Sequence, residues 1–256
     1  MDTKSFVYGI AFSLALFAPT ATWATHPLIT DDAGTQGQGH FQLEVNGQHD
    51  HDKENGVTLT GGQVAATLTY GITDTIDVAV GIPYLWIREE SGLINSSNSG
   101  FSDTIMDVKL RFYEKNGLSF AVKPGLSVPT GNEDQGLGTG KVGYHLYLIG
   151  MKEVGPWTFL ANLGYIRNET DAVAVEKDIW HVSVATMYAA NEHWKIVANV
   201  VAERNPDKDD DTDPVAALAG VIYSPTKDID LDLGVKAGLT SSETDWSLLA
   251  GTTFRF

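Results

Sequence analysis

From Ile229 to Leu239 the chain reads IDLDLGVKAGL, with an apolar residue at every odd position and Asp230, Asp232, Gly234, Lys236 and Gly238 between them. Successive side chains of a β-strand point to opposite faces, so this stretch predicts a strand with one dry side and one wet side. The pattern recurs. Leu118, Phe120, Val122, Leu126 and Val128 alternate with Ser119, Ala121, Lys123, Gly125 and Ser127, and Met106, Val108, Leu110 and Phe112 alternate with Asp107, Lys109 and Arg111. At the C-terminus Trp246, Leu248, Ala250, Thr252, Phe254 and Phe256 share one face, while Ser247, Gly251, Thr253 and Arg255 share the other.

Five connections are tight and rich in turn residues: GITD at 71–74, EKNG at 114–117, EVGP at 153–156, ANEH at 190–193 and SPTKD at 224–228. Longer polar connections near 49–57, 87–101, 129–140, 168–177, 205–213 and 240–244 alternate with them. The strands then fall near 40–48, 58–70, 75–86, 102–113, 118–128, 141–152, 157–167, 178–189, 194–204, 214–223, 229–239 and 245–256. An even strand number, with short and long connections alternating and both chain ends on the short-turn side, is the layout of a transmembrane barrel. Ten residues at about 3.3 Å each, tilted by about 40°, rise about 25 Å, the height of the apolar band such barrels present to lipid. The expected fold is all-β, an up-and-down antiparallel barrel of about 12 strands. It must close, because an unpaired edge in hydrocarbon leaves polar groups unsatisfied at several kcal/mol each.

Bulk composition conceals this. The chain is 43% hydrophobic with a mean hydropathy of -0.10, values typical of a soluble protein, and no stretch after residue 24 approaches the roughly 18 apolar residues of a membrane helix. Residues 1–24 stand apart. Lys4, an apolar run from Phe6 to Ala18, Pro19, and small residues with Thr22 and Ala24 before the break form the layout of a secretory signal peptide. Cleavage after Ala24 leaves 232 residues at an unchanged net charge of -16, because Asp2 and Lys4 cancel. The expected organisation is a signal peptide at 1–24, an N-terminal periplasmic segment at 25–39 and a barrel at 40–256. So acidic a chain does not suit nucleic acid, and the absence of cysteine excludes disulfides and thiolate metal sites.

Aromatic residues fall where membrane interfaces need them. Tyr70, Phe112, Trp157, Tyr188, Trp194 and Tyr223 lie beside short turns, and Trp86, Tyr165, Trp180 and Trp246 near the long-loop ends. The wet face places Glu44, Asp77, Asp107, Lys109, Arg111, Lys123, Asp230, Asp232, Lys236 and Arg255 inside the barrel. Such charges either pair and fill the lumen or line a wet channel whose balance tunes selectivity. Twelve strands are intermediate between the filled eight-stranded barrel and the open pore of sixteen or more.

Other motifs lose their force in context. Gly138, Gly140 and Gly143 have dinucleotide-fingerprint spacing, but a polar loop precedes them and an alternating strand follows, where the fingerprint needs a strand and a helix. Gln135 and Val142 also break the Walker pattern. The five aspartates between 207 and 213 and the pair His49 and His51 read as solvated loops, with weak divalent-cation binding the lesser alternative. His145 and His181 face inward, and no serine lies in a G-x-S-x-G context. No catalytic, cofactor or metal site is expected, and the chain reads as a non-enzyme.

The segments PLITDDAGTQGQGHFQLE (27–44), YGITDTIDVAVGIPY (70–84) and, most densely, 101–149 from FSDTIMDVKLRFYEKNG to GYHLYLI resemble the outer-membrane barrel family named for the meta-pathway of phenol degradation. The resemblance covers most of the mature chain. It implies a barrel for uptake of aromatic or other small organic compounds and brings no catalytic or ligand residues with it. Its T-D-D-A segment falls on Thr30, Asp31, Asp32 and Ala33, ahead of the first strand. We expect that segment to fold into or against the periplasmic mouth.

The expected function is passive uptake through the bacterial outer membrane. The alternatives are a non-transporting structural or adhesive barrel and an exported soluble β-sandwich. Expected partners are outer-membrane lipid and lipopolysaccharide, the barrel-assembly machinery and a small-molecule solute, with no cofactor and a monomeric state. Because the last strand must pair with the first, Phe256 is expected at the periplasmic interface as an assembly signal.

Overall fold

The computed structural model describes residues 25–54, 56–92 and 94–256, so the signal peptide expected at 1–24 lies outside the described residues. The strands are β1 (Phe41–Glu54), β2 (Val57–Thr73), β3 (Ile76–Ser91), β4 (Ile94–Phe101), β5 (Thr104–Lys115), β6 (Leu118–Val128) and β7 (Gly143–Val154). They continue with β8 (Trp157–Arg167), β9 (Asp178–Ala189), β10 (Trp194–Glu203), β11 (Val215–Thr226), β12 (Ile229–Gly238) and β13 (Trp246–Arg255). β3 pairs with β4 through Tyr84–Ser91 and with β5 through Ile76–Gly81. β4 and β5 are thus one stave, broken at Ser102 and Asp103, and the barrel has twelve staves. β13 pairs with β1 from Gln42↔Arg255 to His51↔Trp246, which closes the wall without a free edge.

The alternation decides which face turns inward. On β12, Asp230, Asp232 and Lys236 are buried while Leu231, Leu233 and Val235 are exposed. The same split separates Asp107 and Lys109 from Met106, Val108 and Leu110 on β5. Leaving such an apolar belt in water forfeits about 25 cal/mol per Å² of surface, and lipid removes that cost. The fold is a transmembrane up-and-down barrel.

Cross-strand aromatic pairs ring the short-turn end: Trp157 with Tyr188 at 4.7 Å and Trp194 with Tyr223 at 4.6 Å between ring centroids. The closing seam ends there too. Phe41 donates its amide to Phe256 O at 2.7 Å, Phe256 returns the bond at 3.0 Å, and the two rings stack at 5.7 Å. At the other end Tyr165 stands opposite Trp180.

Two expected long loops are instead tall hairpins. Glu54 pairs with Val57 and Ser91 with Ile94, so most of 49–57 and 87–101 is strand that extends past the apolar belt. Strand there is wet on both faces, so the sequence shows no apolar alternation. The 129–142 connection is a true loop, built around Asp103. Its carboxylate accepts from Gly131 N (3.0 Å), Thr139 N (2.8 Å) and Thr139 Oγ1 (2.9 Å). A methyl group at Gly138 would stand 2.4 Å from that carboxylate, which explains part of the glycine run that imitates a nucleotide motif.

Candidate functional site: a segment inside the barrel

The segment before β1 runs within the barrel. Thr25, Leu28, Thr30, Asp31 and Ala33 are all at most 3% exposed. It forms no strand, so its backbone polar groups need partners from the wall. Asn199 of β10 accepts from Ile29 N (2.7 Å) and Thr30 N (3.0 Å) through Oδ1 and donates to Thr30 Oγ1 (2.9 Å) through Nδ2. Asn162 of β8 accepts from Asp31 N at 2.6 Å and donates to Asp31 O at 2.9 Å. Nearer the mouth, Gln36 N donates to Asp77 at 2.9 Å and Gln38 N to Asp74 at 3.1 Å.

Shape and apolar contact complete the fit. Pro27 lies over two glycines, for methyl groups at Gly220 and Gly234 would come within 2.6 and 2.7 Å of its ring. Leu28 joins inward-facing Leu160, Ala185, Val197, Leu218, Ile222 and Leu249 in one cluster. Ala33 joins Ala121, Tyr147, Ile149, Ile166 and Ile179 in a second. The interior is therefore part charged and part apolar, beyond the mixed-charge lining expected from alternation.

The charges converge on Asp31. Its Oδ1 takes Lys109 Nζ at 2.9 Å and its Oδ2 takes Lys123 Nζ at 2.7 Å. Lys109 also donates to Asp32 O at 2.6 Å. Both lysines are essentially inaccessible to solvent, and buried ions persist only when paired and hydrogen-bonded. His26 is bonded to Asp232 of β12, so the segment is tied to opposite walls. Towards the short-turn end there remains a cavity of about 270 Å³ lined by Asp32, Met151, Glu153, Pro156, Thr158, Met187, Ala189 and Lys195.

The family model described as "Putative MetA-pathway of phenol degradation" matches residues 27–256. The chain belongs to this family. Among solved structures it is similar to the COG4313 outer membrane channel from Pseudomonas putida F1, with a TM-score of 0.74, 16% identity, and coverage of 88% of this chain and 98% of that one. It is also similar to the NanC porin (TM-score 0.59, 9% identity, 83% and 98% covered) and to the KdgM porin (0.55, 11%, 83% and 99%). No curated protein matches the chain. At these identities the structural likeness speaks for the fold.

In this member of the phenol-degradation family the charges expected inside the barrel separate into distinct groups. Lys109 and Lys123 meet Asp31. Asp107 bonds to His145 at 2.6 Å, Lys236 to Glu243 at 2.7 Å and Arg255 to Asp230 at 2.5 Å. Arg111 turns to the short-turn mouth and donates to Asp74 O at 3.0 Å. Of the T-D-D-A motif, Thr30 and Asp31 hold the polar clamps, while Asp32 caps Gly34 N. The aspartates near 207 cap their own turn, Asp207 accepting from Asp209 N and Asp210 from Thr212 N. His51 stacks on Trp246 at 5.3 Å.

Sequence reasoning missed Asn162 and Asn199. Their signal is an amide at an inward position of strands otherwise filled with small and branched apolar residues. It also missed a polar row formed by Tyr147, His181, Ser183 and Glu203. Tyr147, Gly164, His181 and Glu203 stand in register on β7 to β10. Gly164 leaves room for the Tyr147 ring, since a methyl group there would lie 2.5 Å from Cε1.

Proposed function

We propose that this chain is a monomeric channel of the bacterial outer membrane that admits small organic compounds, aromatic ones among them. The observation that carries the reading is the occupied lumen. Leu28 and Ala33 seal apolar clusters while Asp31 pairs with two buried lysines, so the interior offers little room to a large hydrated solute. Compact solutes with apolar surface suit such walls, and the 270 Å³ cavity beside Asp32, with Met151 and Met187, lies on their way out. Passage itself needs no chemical step and no cofactor.

In this reading, export follows removal of residues 1–24, the barrel-assembly machinery recognises the strand ending in Phe256, and lipid and lipopolysaccharide surround the apolar belt. The test is flux into proteoliposomes together with planar-bilayer conductance. Entry of phenol-sized solutes ahead of disaccharides supports the proposal. Neither conductance nor flux would overturn it and leave the structural barrel.

A further inference from the structure

His181 and Ser183 lie two positions apart on β9, so both point into the barrel. His181 Nε2 is 2.9 Å from Ser183 Oγ, and His181 Nδ1 is 2.6 Å from Glu203 Oε1 on β10. A carboxylate only accepts hydrogen bonds, so Nδ1 carries the proton that Glu203 holds. In the neutral imidazole the lone pair of Nε2 then faces the serine hydroxyl, which donates to it. Nucleophile, base and orienting acid stand in the order and at the distances of a serine-hydrolase triad, on a barrel wall and without any nucleophile-elbow sequence.

A fourth group completes the set. Tyr147 packs edge-on to His181 at 5.4 Å, and its hydroxyl is buried with no hydrogen-bond partner among the described residues. The ring thus packs beside the base, and its hydroxyl is an uncommitted donor, the kind of group a developing oxyanion requires. Apolar side chains of the same wall, Ile149, Ile166 and Ile179, cluster with the Tyr147 ring and Ala33 and keep the surroundings of the site dry. The Glu203 side chain is 27% exposed, whereas His181 and Ser183 are each 1% exposed, so only the acid end of the triad is open and the serine hydroxyl is enclosed with the base.

We propose that Ser183, His181 and Glu203 form a nucleophilic site in the lumen that accepts acyl groups from small carboxylic esters. Ser183 Oγ attacks the ester carbon as its proton passes to His181 Nε2, and Tyr147 donates to the carbonyl oxygen as it becomes an oxyanion. The carbon–oxygen bond to the alcohol breaks, and the alcohol leaves with the proton from His181. Water then adds to the acyl-serine by the same route, releasing the carboxylic acid and restoring the serine proton. This activity goes beyond transport and does not depend on it.

The experiment uses the full barrel folded in detergent, its fold verified by a heat-dependent gel shift. It is treated separately with a fluorophosphonate and with phenylmethanesulfonyl fluoride, whose fluoride leaves as the serine oxygen bonds to phosphorus or sulfur. Mass spectrometry is expected to place a single adduct on Ser183. His181→Gln is expected to slow labelling roughly 100-fold or more, the contribution of a general base. Glu203→Gln should slow it by a smaller factor and shift its pH profile, with Glu203→Asp recovering part of the rate. No Ser183 adduct on the folded wild-type barrel with either reagent would overturn the proposal, and so would equal rates in His181→Gln. The assay involves no membrane crossing, so a failure here leaves the channel reading intact.

Discussion

Lys123 of β6 and Asp31 of the segment before β1 are 92 positions apart in the chain, and their charged groups meet 2.7 Å apart inside the barrel. Lys109 reaches the other oxygen of the same carboxylate at 2.9 Å. One carboxylate therefore bonds two buried ammonium groups, and its removal takes a direct ion pair from each. Breaking a buried pair of this kind costs about 3–5 kcal/mol. Asp31→Asn is expected to lower the temperature of the heat-dependent gel shift and to produce larger, noisier openings in planar bilayers. Unchanged conductance and unchanged gel behaviour would show that the pair does not hold the segment.

Gly125 lies between Asp107 and His145 in register on β5, β6 and β7. A methyl group there would come within 2.0 Å of Asp107 Oδ1 and 2.1 Å of His145 Nε2. Gly125→Ala is expected to break that bond and destabilise the barrel by more than Gly47→Ala, whose nearest neighbour would be 3.6 Å away. Parallel thermal gel-shift curves of the two variants make the comparison. Equal midpoints would show that the 107–145 contact carries no stability.

Most of the wall was legible because lipid and lumen impose opposite demands on alternate residues. Asp107, Lys109, Lys123, Asp230, Asp232 and Lys236 all lie on the buried face expected from alternation. The tall hairpins were not legible, since strand with water on both sides has no reason to alternate in polarity. Nor was the pairing of Lys109 and Lys123. Alternation tells which way a side chain points and nothing about a segment from elsewhere in the chain. Asp31 sits in an irregular stretch with no periodicity to read, and its partners emerge only when β5, β6 and β8 are brought around it. The triad of Ser183, His181 and Glu203 was hidden for the same reason, its acid lying on the next strand.

Asp103 organises the 129–142 loop through three donors from Gly131 and Thr139. Asp103→Ala leaves those groups to water and removes the loop's anchor without touching the wall. Limited proteolysis of the folded variant is expected to cut within 129–142 while the remaining barrel keeps its heat-dependent shift. Resistance equal to that of the unaltered protein would mean the loop is held by other contacts.

Phe256 closes the seam through two backbone bonds and a ring stack with Phe41. Phe256→Ala keeps the backbone bonds and loses the ring, whereas deletion loses both. Assembly into the outer membrane is expected to fall for the substitution and further for the deletion, read as the fraction of heat-shifting protein in membranes. Normal insertion of both variants would argue against a recognition role for the terminal aromatic.

The central claim is that the segment held by Asn162, Asn199, Lys109 and Lys123 restricts the route through the barrel. Single-channel conductance of the chain lacking residues 27–38, compared with the intact protein in the same bilayer and salt, tests it most directly. Several-fold larger conductance with a retained heat-dependent shift is the predicted result. Conductance equal to that of the intact protein in a folded deletion variant would contradict the account.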